Sequence, residues 1–271
     1  MRLTILGTGT ARPAGDSPQS GILVVAGTEK VLLDIGSGVA SQVEARMNAA
    51  DLAGLVIGHF HADHWIDIGP LRYRFPWGEP APRPLPVFLP PGGSEKLDHL
   101  AAAINERPGF FEPAFAITEY ETDMRIEIGG LVIVPHAVGH YVPAWSMDIT
   151  GPGGERVVYA GDMGPSEMVV DLAKGADLLI LEATLENGAL DDARRGHIDT
   201  AEAIDHVRRS GVPQGILVHY HSERRAMIAA QCAASGVPVR PALTGMELLI
   251  ERGRVRISEP AGSSYETVRT G

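Results

Sequence analysis

The sequence predicts an α/β protein: two packed sheets with helices on the outside, built from two similar halves of one domain. Three observations predict it. Short apolar runs rich in Val, Ile and Leu alternate with stretches of helical period along the 271 residues. Turn pairs such as Gly129-Gly130 and Arg252-Gly253 mark hairpins in both halves. Histidines and aspartates recur just past apolar runs, where a sheet scaffold presents them along one edge. The length allows a large buried core. We expect one domain over 1–271, with halves near 1–135 and 136–258 and a polar tail at 259–271 that frays.

Taken in order, residues 3–6 read as a first strand ending in the turn Gly7-Thr8-Gly9. Residues 21–26 and 30–35 form a hairpin around Gly27-Thr28, and Val39, Val43 and Met47 recur at helical spacing. A strand follows at 55–58, and Ser94 is placed to cap a helix running to about Asn105. Residues 126–128 and 131–134 pair around the glycines. Two strands, the second at 156–160, and the turn Gly151-Pro152-Gly153-Gly154 fill most of the interval between His140 and Asp162. Helices at 166–174, 199–209 (capped by Asp199) and 222–234 alternate with strands at 178–181 and 215–218. A hairpin of 246–250 with 254–257 closes the pattern. Two segments break the alternation: 65–91, crowded with proline and aromatics, and 106–121, with Phe110, Phe111 and Phe115. Loops of that length are expected to be lids or binding loops, unless their aromatics plug local apolar gaps.

Composition narrows the function. With 44% hydrophobic and 21% charged residues the chain reads as globular, and a net charge of −11 disfavours nucleic acid as a general partner. Cys232 is the only cysteine, which excludes an intramolecular disulfide and thiolate metal clusters. The first residues read as a strand rather than a leader, and no apolar run approaches the roughly 20 residues of a membrane span. The expectation is a cytoplasmic protein with no membrane partner.

His59-Phe60-His61-Ala62-Asp63-His64 carries the chemistry. It sets four metal-ligand side chains within six residues at the end of an apolar run. His59 and His61 are two apart and point the same way from extended backbone, while Asp63 and His64 fall in the turn beyond. That arrangement suits two neighbouring cations. Two ions need more donors, mostly imidazole and carboxylate for zinc, manganese or iron. His140, Asp162 and His219 each follow an apolar run and supply them. His221 is a rival to His219, which is preferred because it ends the run 216–218 directly. His99, His136 and His206 have no place in the set and are expected to be surface or structural residues. Asp34 either bonds a ligand imidazole or caps its own turn. Arg72, Tyr73, Arg74 and Trp77 either line a pocket mouth, where an arginine suits a phosphate, or form an exposed basic stretch.

His59-x-His61-x-Asp63-His64 with His140, Asp162 and His219 resembles the metallo-β-lactamase fold superfamily, whose fold is a four-layer αββα sandwich. The resemblance implies one metal held by His59, His61 and His140, a second by Asp63, His64 and His219, and Asp162 bridging. Two divalent ions follow, Zn²⁺ foremost, with Mn²⁺ or iron as alternatives. Within that superfamily, several stretches are similar to the ribonuclease Z and phosphodiesterase branch. They are Gly7-Thr8-Gly9, Asp34-Ile35-Gly36-Ser37-Gly38, His140-Tyr141-Val142-Pro143-Ala144, Tyr159-Ala160-Gly161-Asp162, the run 177–184 and Gly196-His197-Ile198-Asp199. The likeness implies that His197, supported by Glu182, assists at the scissile phosphate.

Bacterial ribonuclease Z enzymes carry a long basic arm that grips transfer RNA between the positions of His140 and Asp162. Here 21 residues separate the two, and most are needed for strands. RNA is therefore disfavoured, and a hydrolase of a small or short phosphodiester is expected. It would use water whose pKa two ions lower from 15.7 towards ~7, with Asp63 orienting or accepting a proton. A transfer-RNA 3′-processing endonuclease and a lactone, thioester or β-lactam hydrolase are the alternatives on the same scaffold. Relatives of this kind are commonly homodimers.

Overall fold

The computed structural model describes residues 1–75, 83–191 and 194–260. Along the chain, β1 (Arg2–Gly7), β2 (Gly21–Ala26), β3 (Glu29–Leu33), β4 (Gly54–Val56), β5 (Leu85–Leu89) and β6 (Phe115–Glu119) build most of a first sheet. A second contains β7 (Ile126–Ile128), β8 (Leu131–Val138), β9 (Ala144–Thr150), β10 (Arg156–Tyr159), β11 (Leu178–Glu182), β12 (Gly215–Val218) and β13 (Val239–Pro241). The chain then returns: β14 (Glu247–Glu251) pairs antiparallel with β1 and with β15 (Arg254–Ser258). Strand order is β15-β14-β1-β2-β3-β4-β5-β6 in one sheet and β13-β12-β11-β10-β9-β8-β7 in the other. The expected division at 135 thus falls inside β8, because the hairpin of β7 and β8 already belongs to the second sheet.

Strand residues alternate between two cores, which is why these runs are apolar throughout. Ile22 and Val24 of β2, Val157 and Tyr159 of β10, and Ile216 and Val218 of β12 meet between the sheets. Leu23 points outward to join Val39, Val43, Leu71 and Leu97, which cover the first sheet. These belong to α1 (Val39–Glu44), α3 (Ile68–Arg72) and α4 (Gly93–Ala103), while the single turn α2 (Ala62–Trp65) precedes α3. On the other side Val158 and Leu217 meet Val169, Val207 and Ile228. Those lie on α5 (Glu167–Ala173), α6 (Thr200–Ser210) and α7 (Arg225–Ala234). The layers are helix, sheet, sheet, helix. Each fully buried aliphatic side chain stabilises by roughly 1.5–3 kcal/mol.

Local signals explain the helix ends. Ser166 accepts from Val169 N, and Asp199 and Glu202 form a capping box that starts α6. The expected Ser94 cap is not made. The helix starts at Gly93, and the Glu119 carboxylate from the end of β6 accepts from Gly92 N and Ser94 N, each at 2.8 Å. The expected helix at 222–234 opens with a 3-10 turn over Ser222–Arg224 before α7.

The two irregular segments are not bare loops. They contain β5 and β6, and Phe75, Phe110, Phe111 and Phe115 pack into the outer core of the first sheet. No helix among the described residues is long and apolar enough to cross a membrane.

Candidate metal centre

The site lies where β4 of the first sheet meets β9 of the second. His59 bridges Ala144, and Trp145 N donates to Gly58 O at 3.1 Å. Just past β4 the backbone leaves the sheet and enters α2. This carries Asp63 and His64 into the crevice, with Ile35 N donating to His64 O (2.7 Å) and Ser20 N to Asp63 O (3.1 Å). Gly36 permits that closeness, since a Cβ there would sit 1.9 Å from Asp63 O. From the second sheet come His140 after β8, Asp162 after β10, Glu182 at the end of β11, and His219 after β12.

All seven expected ligand side chains converge. One ligand atom each from His59, His61, His140 and Asp162 lies within 4.8 Å of the others, and the same holds for Asp63, His64, Asp162 and His219. Asp162 belongs to both groups. Its Oδ2 lies 3.8 Å from His59 Nε2, 3.3 Å from His64 Nε2 and 3.4 Å from His219 Nε2. His61 Nδ1 lies 3.2 Å from His59 Nε2 and 3.0 Å from His140 Nε2, and His219 Nε2 is 3.1 Å from Asp63 Oδ2.

The electrostatics suit a cation. Burial holds His59 well below the usual imidazole range, lowers His61, and pulls His140 down to about 4. Three imidazoles are therefore neutral, and the facing nitrogens of His59 and His140 lie within 3.2 Å of His61 Nδ1 with lone pairs free to bind a cation. Burial disfavours charge on His64 as well, but the carboxylates of Asp162 and Asp34 prevail and raise it well above its ordinary value. Asp162 is held well below the carboxylate range, its burial outweighed by His219, His64 and His59. The donor set, five imidazoles and two carboxylates, is borderline-soft and matches a pair of divalent transition ions.

Asp34 takes the supporting role. Its Oδ2 accepts from His64 Nδ1 and from Tyr159 Oη, each at 2.8 Å, and its Oδ1 accepts from Gly58 N at 2.8 Å. His140 Nδ1 donates to Gly196 O at 2.5 Å. These bonds occupy each ring's outer nitrogen and aim the other inward. His197 sits beside the cluster with Nδ1 2.9 and 3.0 Å from the Glu182 oxygens and 4.0 Å from Asp162 Oδ2. Glu182 is fully buried and also accepts from Met163 N at 2.7 Å. Although burial opposes charge on His197, Glu182 prevails and raises it to about 9.

A cavity of about 400 Å³ opens onto these groups, lined by Thr10, Arg12, Asp63, Thr184, His197 and His221 among others. His221 stands outside both ligand groups, its Nδ1 3.1 Å from Thr10 Oγ1. The other three histidines lie elsewhere. His99 is exposed on α4, His136 pairs with Asp123 at 2.7 Å, and His206 accepts from Ser166 N at 3.1 Å.

Of the basic stretch, Tyr73 is exposed, as one of the two expectations has it, but Arg72 fits neither. Arg72 is buried, donates to Phe110 O at 2.6 Å and stacks 3.7 Å over the Phe110 ring, so it neither lines the cavity nor stands exposed. Arg74 donates to Asn48 Oδ1, and Trp77 lies outside the described residues. The arginine at the cavity is Arg12, ion-paired with Glu223 at the surface. Sequence reasoning missed Arg12 and Thr10 and gave Thr184 no role of its own, since all three lie in irregular segments with no periodic pattern to mark them.

Known proteins resemble this chain in sequence and in fold. The probable metallo-hydrolase YhfI of Bacillus subtilis is 28% identical over 222 residues, covering 81% of this chain and 86% of its own. Its crystal structure superposes with a TM-score of 0.80 at 24% identity, covering 91% of this chain and 98% of that one. Ribonuclease Z of Mycobacterium bovis is 28% identical over 244 residues, again 81% of this chain and 86% of its own. A diphosphatase from the PhnP family superposes with a TM-score of 0.73 at 18% identity, covering 93% of this chain and 98% of that one. Residues 29–220, which span every one of the convergent donors, match the family model of the β-lactamase superfamily domain. On that match, and on two facing sheets that hold the donors at their shared edge, the chain belongs to the β-lactamase superfamily and has the metallo-β-lactamase fold.

Proposed function

We propose that this protein is a two-metal phosphodiesterase acting on a small or short phosphodiester. The observation that carries the proposal is the His197–Glu182 pair beside the His/Asp cluster. Against the cost of burial, Glu182 raises its imidazole to about 9, and the ring lines the cavity. Such a group matches the departing or non-bridging oxygen of a phosphodiester. His59, His61 and His140 would hold one ion, Asp63, His64 and His219 the other, and Asp162 both. Bound there, two divalent ions supply an ionised water at neutral pH and positive charge against developing negative charge. Zinc is favoured by the donor set.

The chain's own groups do the rest. Glu182 fixes the His197 ring through Nδ1, leaving Nε2 to donate. Asp63 is positioned to orient the attacking water. Arg12 at the cavity mouth suits a second anionic group on the substrate. The cavity volume is in the range of small-ligand sites.

Transfer-RNA processing is the weaker reading. The interval between His140 and Asp162 is taken up by β9, the turn 151–154 and β10, leaving no length for an arm. The match to ribonuclease Z runs over 244 positions to cover the same share of this chain that the YhfI match covers in 222. The ribonuclease therefore carries segments absent here. The net charge of −11 points the same way.

The test is hydrolysis of bis(p-nitrophenyl) phosphate, followed by a side-by-side screen of cyclic nucleotides, short RNA, lactones and thioesters. Chelation should abolish turnover, and Zn²⁺ or Mn²⁺ should restore it. His197→Ala should lower phosphodiester cleavage by roughly 10²–10⁴-fold, yet spare any carbonyl substrate. No phosphodiester turnover by fully metallated protein would reject the proposal.

A further inference from the structure

The hydroxyl of Thr184 stands between two groups of the site. Glu182 ends β11 and His219 follows β12, and these neighbouring parallel strands pair Glu182 with Val218. Thr184 Oγ1 lies 2.5 Å from Glu182 Oε2, 2.8 Å from His219 Nδ1 and 3.0 Å from His219 O. A hydroxyl has one proton to give. Both oxygens can only accept from it, and the charged carboxylate at 2.5 Å is the stronger claimant. Whichever oxygen takes the proton, none is left for His219 Nδ1. That nitrogen is therefore the donor to Thr184, and Nε2, 3.1 Å from Asp63 Oδ2 and 3.4 Å from Asp162 Oδ2, is the atom left for a cation that those carboxylates would share.

The backbone that carries this hydroxyl is itself held in place. The buried Arg224 donates to Thr184 O at 2.7 Å and to Leu185 O at 2.7 Å, which pins the backbone after β11. His219 itself has a left-handed backbone, φ 50, uncommon for a residue other than glycine.

We propose that Thr184 is a positioning residue that transmits the orienting effect of Glu182 to His219. It fixes that ring as the Nδ1–H tautomer. One buried carboxylate then sets two imidazoles: His197 directly and His219 through the threonine. The inference deepens the two-metal reading and rests on it only for the consequence in ion binding.

Two measurements test it. In ¹⁵N-histidine-labelled protein, with His219 assigned by its loss in His219→Gln, Nδ1 should carry the proton, giving a pyrrole-like shift. A pyridine-like Nδ1 overturns the inference whether or not any ion binds. In zinc-loaded protein titrated with a competing chelator, Thr184→Val should weaken one of two bound ions by about 10–100-fold. Thr184→Ser, which keeps the hydroxyl, should restore it. Equal retention by the valine variant and the unmodified protein overturns the inference. If the unmodified protein binds no ion pair, the two-metal reading fails, and the ¹⁵N spectrum still decides the role of Thr184.

Discussion

At the residue scale the site is a set of imidazoles whose protonation differs with their neighbours. His59 and His140 are kept neutral by burial, whereas His197 is raised to about 9 by Glu182. A raised histidine keeps its proton below its own pKa and loses it as pH climbs through that value. Two cations nearby push His197 back down, so the alkaline fall in kcat/KM should lie at or below about pH 9. That limb should vanish from the profile of His197→Gln, whatever its residual rate. An unchanged limb in the variant assigns the proton donor elsewhere. The seven donors were legible as residue types at or just past apolar runs, whereas the pair of His197 and Glu182 was legible only through the motif resemblance. Asp34 was legible only as one of two options, because nothing local says which way a carboxylate in a turn points. Its left-handed φ of 57 and its bond to His64 decide the matter, and both are tertiary facts.

At the scale of elements, local chemistry predicted what local chemistry controls. The cap at Asp199 was readable because donor and acceptor lie within four residues, and the structure adds Glu202 to it as a box and gives α5 its own local cap at Ser166. The start of α4 was not, since its capping carboxylate arrives from Glu119, 25 residues beyond Ser94. The strands β5 and β6 hid for a related reason: proline and aromatics between them mimic a loop, and parallel pairing to β4 supplies what sequence pattern lacks. Glu119→Ala should accordingly destabilise the protein by about 1 kcal/mol, the typical worth of an N-terminal cap. Hydrogen bonds from the backbone and side chain of Ser94 and from Gly92 N lower the pKa of Glu119. Its contribution is therefore present above the unfolded carboxylate pKa and fades as pH falls through the folded one. Urea melts of the two proteins should diverge at pH 7 and converge in acid. A gap that persists in acid assigns the loss to something other than the charged cap.

At the scale of the whole molecule, the two sheets are joined by the inter-sheet core and, at one edge, by the donor cluster. His59, His61, Asp63 and His64 come from the first sheet, and His140, Asp162 and His219 from the second. Ions held by both sets therefore bind the native arrangement and not the unfolded chain, in which those donors lie up to 160 positions apart. Ligands of that kind stabilise by mass action, about 2.7 kcal/mol when free ion exceeds its Kd 100-fold. For a domain of this size that corresponds to a rise in Tm on the order of 5–10 °C. Without ions, protonation of His64 offsets part of the buried negative charge of Asp34 and Asp162. Ion uptake must then expel a proton, so the gain in Tm should grow from pH 6 to pH 8. Thermal melts with zinc and with chelator at both pH values measure this directly. Bound zinc that leaves Tm unmoved would mean the donors do not join the sheets through shared ions, and the bridging role of Asp162 would fall with it.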